Sequence, residues 1–248
     1  MVETGKDGAR LVSLDAIRGV AVMGILAMNI VAFALPFPAY ADPAAGGPPS
    51  SAHVATWVFN FVFVDSKMRG LFSMLFGAST LLVIDSAASA GRSAAGAHYS
   101  RMFWLAIFGL IHFYLIWFGD ILFLYAMCGL LLFLFRNLSV KALLLWSIPF
   151  FLIGIGLPGS LWSMLSMAQA GGLPPEAAAG MQEALAQMNA DMGPSTPVYA
   201  KEMALYLGSY TSIVAHRTGE MAGDPLFFVI MFAWETIGLM LIGMALFK

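Results

Sequence analysis

Leu14–Leu35 reads LDAIRGVAVMGILAMNIVAFAL, and this stretch decides the fold class. From Val20 to Phe37 its one polar side chain is Asn29. A helix crosses the hydrocarbon of a bilayer in about 20 apolar residues, so this run is long enough to span. Lys6 and Arg10 in front of it, and Ala39-Tyr40-Ala41 behind it, resemble a secretory leader with a small-x-small cleavage site. The run is longer than the apolar core of a leader, and further apolar runs follow. A first transmembrane helix is expected instead.

The rest of the chain continues in the same composition. Of 248 residues 60% are hydrophobic and 10% charged, with mean hydropathy +0.83. A soluble domain carries roughly 25% charged residues, so much of this surface must face lipid. A net charge of −2 gives no long-range field suited to nucleic acid. Cys128 is the single cysteine, which excludes an intramolecular disulfide.

Spans are expected at Leu14–Leu35, Arg69–Ile84, Met102–Phe118, Ile121–Phe135, Ala142–Leu161 and Leu226–Phe247. The expected class is all-α, a polytopic bundle of about six spans in one domain over residues 1–248, with the N-terminus cytoplasmic. Thr56–Val64 is a short apolar run cut from Leu71 onward by Asp65, Lys67 and Arg69. It reads as the outer part of one interrupted element. Six spans put Lys6, Arg10, Arg18, Arg92, Arg101, Arg136, Lys141 and Lys248 inside, and Lys67, Arg69, Lys201 and Arg217 outside. Eight against four follows the positive-inside rule; a further crossing at Thr56–Val64 spoils it.

Pro36–Ser51 lacks basic residues and belongs outside. Phe118-Gly119-Asp120 makes a tight outer turn joining spans three and four as a hairpin. Residues 162–224 form a long extracytoplasmic loop. Pro174-Pro175-Glu176 reads as a helix start. Met181, Leu185, Met188 and Met192 recur at helical spacing, as do Met203, Leu207, Tyr210 and Val214. Two amphipathic helices, on the outer membrane surface or capping the bundle, are expected.

Ionisable side chains at lipid depth each cost on the order of 2.5–3.5 kcal/mol, so they face the bundle interior or a wet cavity and mark function. Asp15 and Arg18 are neighbours on one helix face, and Asn29, about three turns on, shares nearly that face. They read as a substrate-binding set or as an anchor pair with an interhelical hydrogen bond. His112, near the middle of span three, reads as a general base or a packing histidine. Glu235, near mid-span, needs a partner such as His112 or Arg18. An outer rim gathers Asp65, Lys67, Arg69 and Asp120, with His53 nearby in sequence. No Walker loop, dinucleotide glycine fingerprint, zinc spacing or G-x-S-x-G elbow occurs, and His53, His98, His112 and His216 are too scattered for a metal motif.

An ordered set of segments resembles one family. Leu14-Asp15-Ala16-Ile17-Arg18-Gly19 through Asn29, and Lys67-Met68-Arg69-Gly70-Leu71-Phe72-Ser73-Met74-Leu75-Phe76-Gly77, are similar to segments of the YeiB-like bacterial inner-membrane proteins. So are Gly109-Leu110-Ile111-His112, Trp117-Phe118-Gly119-Asp120-Ile121-Leu122 with Tyr125 and Gly129-Leu130-Leu131, and Gly238 to Leu246. The resemblance covers essentially the whole chain. It implies a bacterial plasma-membrane location and a longer architecture of which this chain is the N-terminal part. It also implies kinship with transmembrane acyltransferases such as heparan-alpha-glucosaminide N-acetyltransferase. Those carry an acyl group from cytoplasmic acyl-CoA or acetyl-CoA to an acceptor across the membrane. In the acyltransferase-3 branch the first span carries Arg, ten residues, then His. Arg18 fits the arginine, but Asn29 stands at the histidine position and cannot accept a proton. The heparan-type enzymes use a histidine of the first outer loop, where His53 lies in a different local sequence.

Three functions follow as expectations. In an acyltransferase, His112 or His53 is the base, Glu235 or Asp120 orients it, and Asp15, Arg18, Asn29, Lys67 and Arg69 bind substrate. Acyl-CoA is then the co-substrate, no metal is needed, and a glycan or lipid is the outer acceptor. In a transporter the same polar residues line a path. In a structural subunit, as a homo-oligomer or with a C-terminal partner, they serve helix association.

Overall fold

Serines mark where the apolar runs become helices. Ser50, Ser93, Ser139 and Ser209 each accept a backbone N–H three residues on, capping four of the helices. The computed structural model describes residues 12–172, 174–192 and 197–248; Lys6 and Arg10 lie outside the described residues. The order is α1 (Val12–Ala34), α2 (Pro38–Ala41), α3 (Ser51–Phe59), α4 (Lys67–Ser89), α5 (Ala94–Ile111) and α6 (Leu122–Phe135). There follow α7 (Val140–Gln169), α8 (Pro175–Met192), α9 (Pro197–Tyr206), α10 (Tyr210–Thr218) and α11 (Asp224–Phe247). Wider π-helical turns extend α3 over Asn60–Val64 and α5 over His112–Ile116. Among the described residues there is no strand, and the fold is all-α.

Each of the six expected spans coincides with a helix. Four stretches are long and apolar enough to cross a membrane: Leu14–Ala34, Ser51–Ser89, Ala94–Ile116 and Asp224–Phe247. Leu122–Phe135 and Val140–Gly156 are apolar but shorter. The 14 residues of α6 rise only about 21 Å. Large apolar side chains stand exposed around the bundle, Ile155 at 68% and Phe63 at 63% among them, as lipid-facing helices require.

Ser51–Ser89 behaves as one interrupted element. Trp57 Nε1 donates to the Tyr40 carbonyl at 3.0 Å, Asn60 Nδ2 to the Ala27 carbonyl at 3.1 Å, and Arg18 Nη2 to Ser79 Oγ at 2.7 Å. A methyl group on Gly24 would collide with Met68. These contacts descend α1 in order, so α3 and α4 run antiparallel to it in a single pass. The interruption falls where Ser66 takes φ 61° and Asp65 Oδ1 accepts its N–H at 2.7 Å. Short polar side chains hold such local turns.

α11 is the central helix, packed against α4, α6 and α7. A methyl group at Gly77 would collide with the Met240 carbonyl, and one at Gly243 with the Met74 carbonyl. Small residues thus let α4 and α11 meet backbone to backbone, which is how helices associate without a hydrophobic gradient. Around them Met240, Leu241, Met244, Leu132 and Tyr125 form the buried core.

Three expectations change. α7 continues to Gln169 rather than ending at Leu161, so the loop after it starts later. The periodic run Met203–Val214 is two helices, not one, because the chain turns at Gly208 and Ser209 starts α10 as its cap. His112 is not at mid-span: it opens the π-helical turn that ends α5, close to the Trp117–Ile121 turn.

Candidate functional site

Asp120 begins the site because the turn before α6 leaves backbone N–H groups unpaired. Its Oδ2 accepts the Phe123 N–H at 2.8 Å, and its Oδ1 lies 3.0 Å from His112 Nδ1. The Asp120 side chain is 2% exposed and that of His112 32%. Burial raises the Asp120 pKa, opposed by its backbone hydrogen bonds and by His112. A carboxylate only accepts, so His112 Nδ1 donates to it and Nε2 remains as a proton acceptor. Such a pair can hold the imidazole in one orientation.

His112 lines a cavity of about 550 Å³ at the Ala34 end of α1. Its walls come from α1 and the chain after it (Ala32 to Pro36), from Ile116 and Trp117, and from Met203, Tyr206, Leu207 and Arg217 of the α9–α10 segment. That segment is tied down as a roof. Tyr210 Oη donates to the Leu115 carbonyl and Tyr114 Oη to the Ala222 carbonyl, both at 2.7 Å. The Phe37 N–H donates to Glu202 at 3.1 Å, and burial raises the Glu202 pKa despite that bond. Arg217 is 4% exposed, with its guanidinium 5.7 Å from the Tyr206 ring centroid.

A second cavity, of about 540 Å³, opens at the other end of α1. Arg18 pairs there with Asp15 at 3.1 Å and bonds Ser79 from α4. Arg101 of α5 lines the same space, near enough for its charge and that of Arg18 to repel. It stacks 5.1 Å from the Phe76 ring centroid, and its buried Nη1 has no hydrogen-bond partner among the described residues. Apolar walls run from this charged mouth past Leu75, Val83 and Leu105 to Leu122 and Tyr125. Leu122 is two residues from Asp120. Arg18 and Ala32 are fourteen residues apart on α1, about 21 Å along its axis.

The remaining expected residues lie elsewhere. Glu235 pairs with Arg69 at 3.0 Å, not with His112 or Arg18. Arg69 is therefore not a rim residue: it faces the middle of α11, and its carbonyl accepts from Ser73 Oγ at 2.9 Å and from Tyr125 Oη at 3.3 Å. Lys67 Nζ caps the Phe61 carbonyl at 3.2 Å. Asp65 lies beside the Tyr40 phenol, whose pKa is raised by burial first and by that carboxylate second. His53 is exposed on α3, and neither it nor Asn29 lines either cavity. Among the described residues no group of three His, Cys, Asp or Glu could hold a metal ion.

Sequence reasoning missed Arg101, Arg217, Ser79 and Tyr206. From the sequence the first two register only as topological charges. Nothing local marks them, because Ser79 and Arg101 meet their partners across the bundle and Arg217 reaches Tyr206 only after the chain turns between α9 and α10.

No family model matches the chain, and no solved structure does. Among curated proteins it is similar to the uncharacterized protein YeiB of Escherichia coli K12, 32% identical over 243 residues that make up 96% of this chain and 56% of that protein. It is 32% identical over 155 residues to the uncharacterized protein YxaH of Bacillus subtilis 168, covering 58% of this chain and 37% of the relative. A 39.9 kDa protein from Bacillus acidopullulyticus is 33% identical over 155 residues, or 60% and 42% respectively. The chain spans about half the length of the curated relatives it matches. Similarity to YeiB-like proteins thus extends over nearly all of it.

Proposed function

We propose that this chain is a transmembrane acyltransferase core of a bacterial inner membrane, with its N-terminus in the cytoplasm. The observation that carries the reading is the His112–Asp120 pair, opening into a roofed cavity at the opposite end of α1 from the Arg18–Arg101 cavity. Arg18 and Arg101 hold the anionic part of a cytoplasmic acyl-CoA. The apolar walls guide its acyl end toward Leu122. The acceptor, a glycan or lipid, sits under α9 and α10. His112 Nε2 takes the proton from its hydroxyl or amine as that atom attacks the thioester carbonyl. The new C–O or C–N bond forms, the C–S bond breaks, and the proton passes on to the departing thiolate. Asp120 fixes the ring and stabilises the imidazolium.

Membrane vesicles from cells producing the chain, given acyl-CoA labelled in the acyl group, test this. Label is expected on a membrane or outer-side product, and His112→Ala should abolish it while membrane insertion is unchanged. Undiminished labelling with His112→Ala removes the histidine from the mechanism. A carrier is the second reading, favoured by the Arg69–Glu235 pair at mid-helix, since intramembrane ion pairs line many transport paths. Proton-dependent flux with no acylated product would select it.

A further inference from the structure

Arg217 is the one arginine of the α9–α10 roof, it is 4% exposed, and its environment is incomplete. Its Nε and Nη1 are buried and have no hydrogen-bond partner among the described residues. No carboxylate lies within ion-pair distance of it among the described residues: Glu220 pairs with His216 and Lys201 instead, and Glu202 accepts from Phe37. The Tyr206 phenol contacts the guanidinium, but a neutral ring neighbour does not compensate a buried charge. A guanidinium so placed is unfavourable unless something else supplies the negative charge. The space beside it is the cavity that His112 lines, and most of that wall is apolar: Ala32, Phe33, Leu35, Ile116, Trp117 and Leu207.

We infer that Arg217 is an oxyanion site, and that the molecule bound under the roof is an amphiphile carrying a phosphate, sulfate or carboxylate group. The inference deepens the acyltransferase reading by naming the class of acceptor, and it rests on that reading for its role. The anion bonds the planar donor fork of Arg217, and its apolar portion lies along α1 and Trp117. The group to be acylated then faces His112 Nε2 in the same cavity. Glu220, Lys201 and His216 already satisfy one another on the outer side of the roof and leave Arg217 to the ligand.

The test uses the full chain purified in a neutral detergent at pH 8. Radiolabelled dodecyl phosphate, inorganic phosphate and neutral dodecanol are the probes in equilibrium dialysis. Dodecyl phosphate should bind saturably at one site, and Arg217→Met should weaken it by about ten-fold or more. Arg217→Lys should retain part of the affinity. Parallel loss of inorganic phosphate binding in Arg217→Met shows that a free anion suffices, whereas dodecyl phosphate binding alone shows that the chain is required; both support the site. Removing a partnerless buried charge should also leave the ligand-free Tm of Arg217→Met no lower than that of the wild type. Should that variant fail to fold, Met203→Trp, which enlarges a half-buried side chain of the cavity wall with Arg217 intact, should abolish the rise in Tm that dodecyl phosphate gives the wild type. Dodecyl phosphate binding unchanged in Arg217→Met, or in Met203→Trp, overturns the proposal, as does dodecanol binding as tightly. Dodecyl phosphate binding is measured with no acyl-CoA present, so loss of the acyl-transfer reading and loss of this site are separate results.

Discussion

Glu235 shows how one side chain changes meaning once its neighbours are known. Alone at mid-helix it reads as a catalytic carboxylate; beside Arg69 at 3.0 Å it is half of an ion pair. With 17% of the Arg69 side chain and 40% of Glu235 exposed, removing one partner strands the other at a depth where charge is costly. Glu235→Gln should therefore destabilise the protein by about 2 kcal/mol in detergent unfolding, and Arg69→Gln on top of it by much less than the sum. Additive losses would show that the two do not interact. Asp120 gives a pH dependence. Burial holds its folded pKa above the unfolded value of 3.8, so its ionisation withdraws stability as the pH rises through the folded value. Relative to Asp120→Asn, the wild type should lose Tm above about pH 4 and level off once Asp120 is ionised. A wild type that gains Tm over the same range would mean that the bond to His112 outweighs burial. The residue types were legible in the sequence because hydrocarbon makes ionisable groups conspicuous. Their pairings were not, since Arg69 and Glu235 lie 166 residues apart.

At the scale of elements, periodicity and apolar length located the helices, while packing decided how they end and meet. Gly77 and Gly243 carry the close approach of α4 to α11. Gly77→Val or Gly243→Val should cost about 1–3 kcal/mol or prevent folding, because the opposing group is backbone and cannot move aside. Gly156→Ala is the control: nothing lies within 4 Å of the added methyl group, so Tm should hold or rise slightly. Equal losses at all three positions would refute the close-packed seam. The amphipathic pattern of residues 203–214 was visible in the sequence, yet it was silent on the break at Ser209, where a capping hydroxyl competes with helix continuation. His112 looked central to its span when helix ends were judged by hydropathy alone. The π-helical turn shows that the chain is already leaving the helix there, toward the Asp120 turn.

For the whole molecule, composition alone dictates an all-helical bundle with apolar flanks. What composition could not reveal is that this bundle holds two cavities at opposite ends of α1, each with an arginine lacking full compensation. Long-range contacts assemble both. Arg18, Ser79 and Arg101 come from three helices, and His112 and Arg217, more than a hundred residues apart in the chain, line one cavity. Transfer across a membrane requires the two cavities to open to opposite aqueous sides. With Cys128 replaced by alanine, single cysteines at Val83 in the first cavity and Leu35 in the second can be labelled in cells and in inverted vesicles with a membrane-impermeant maleimide. Cysteine at Val83 should react only from the cytoplasmic face, and cysteine at Leu35 only from the outer face. Reaction of both from the same face would place the two cavities on one side of the membrane and contradict a transmembrane transfer.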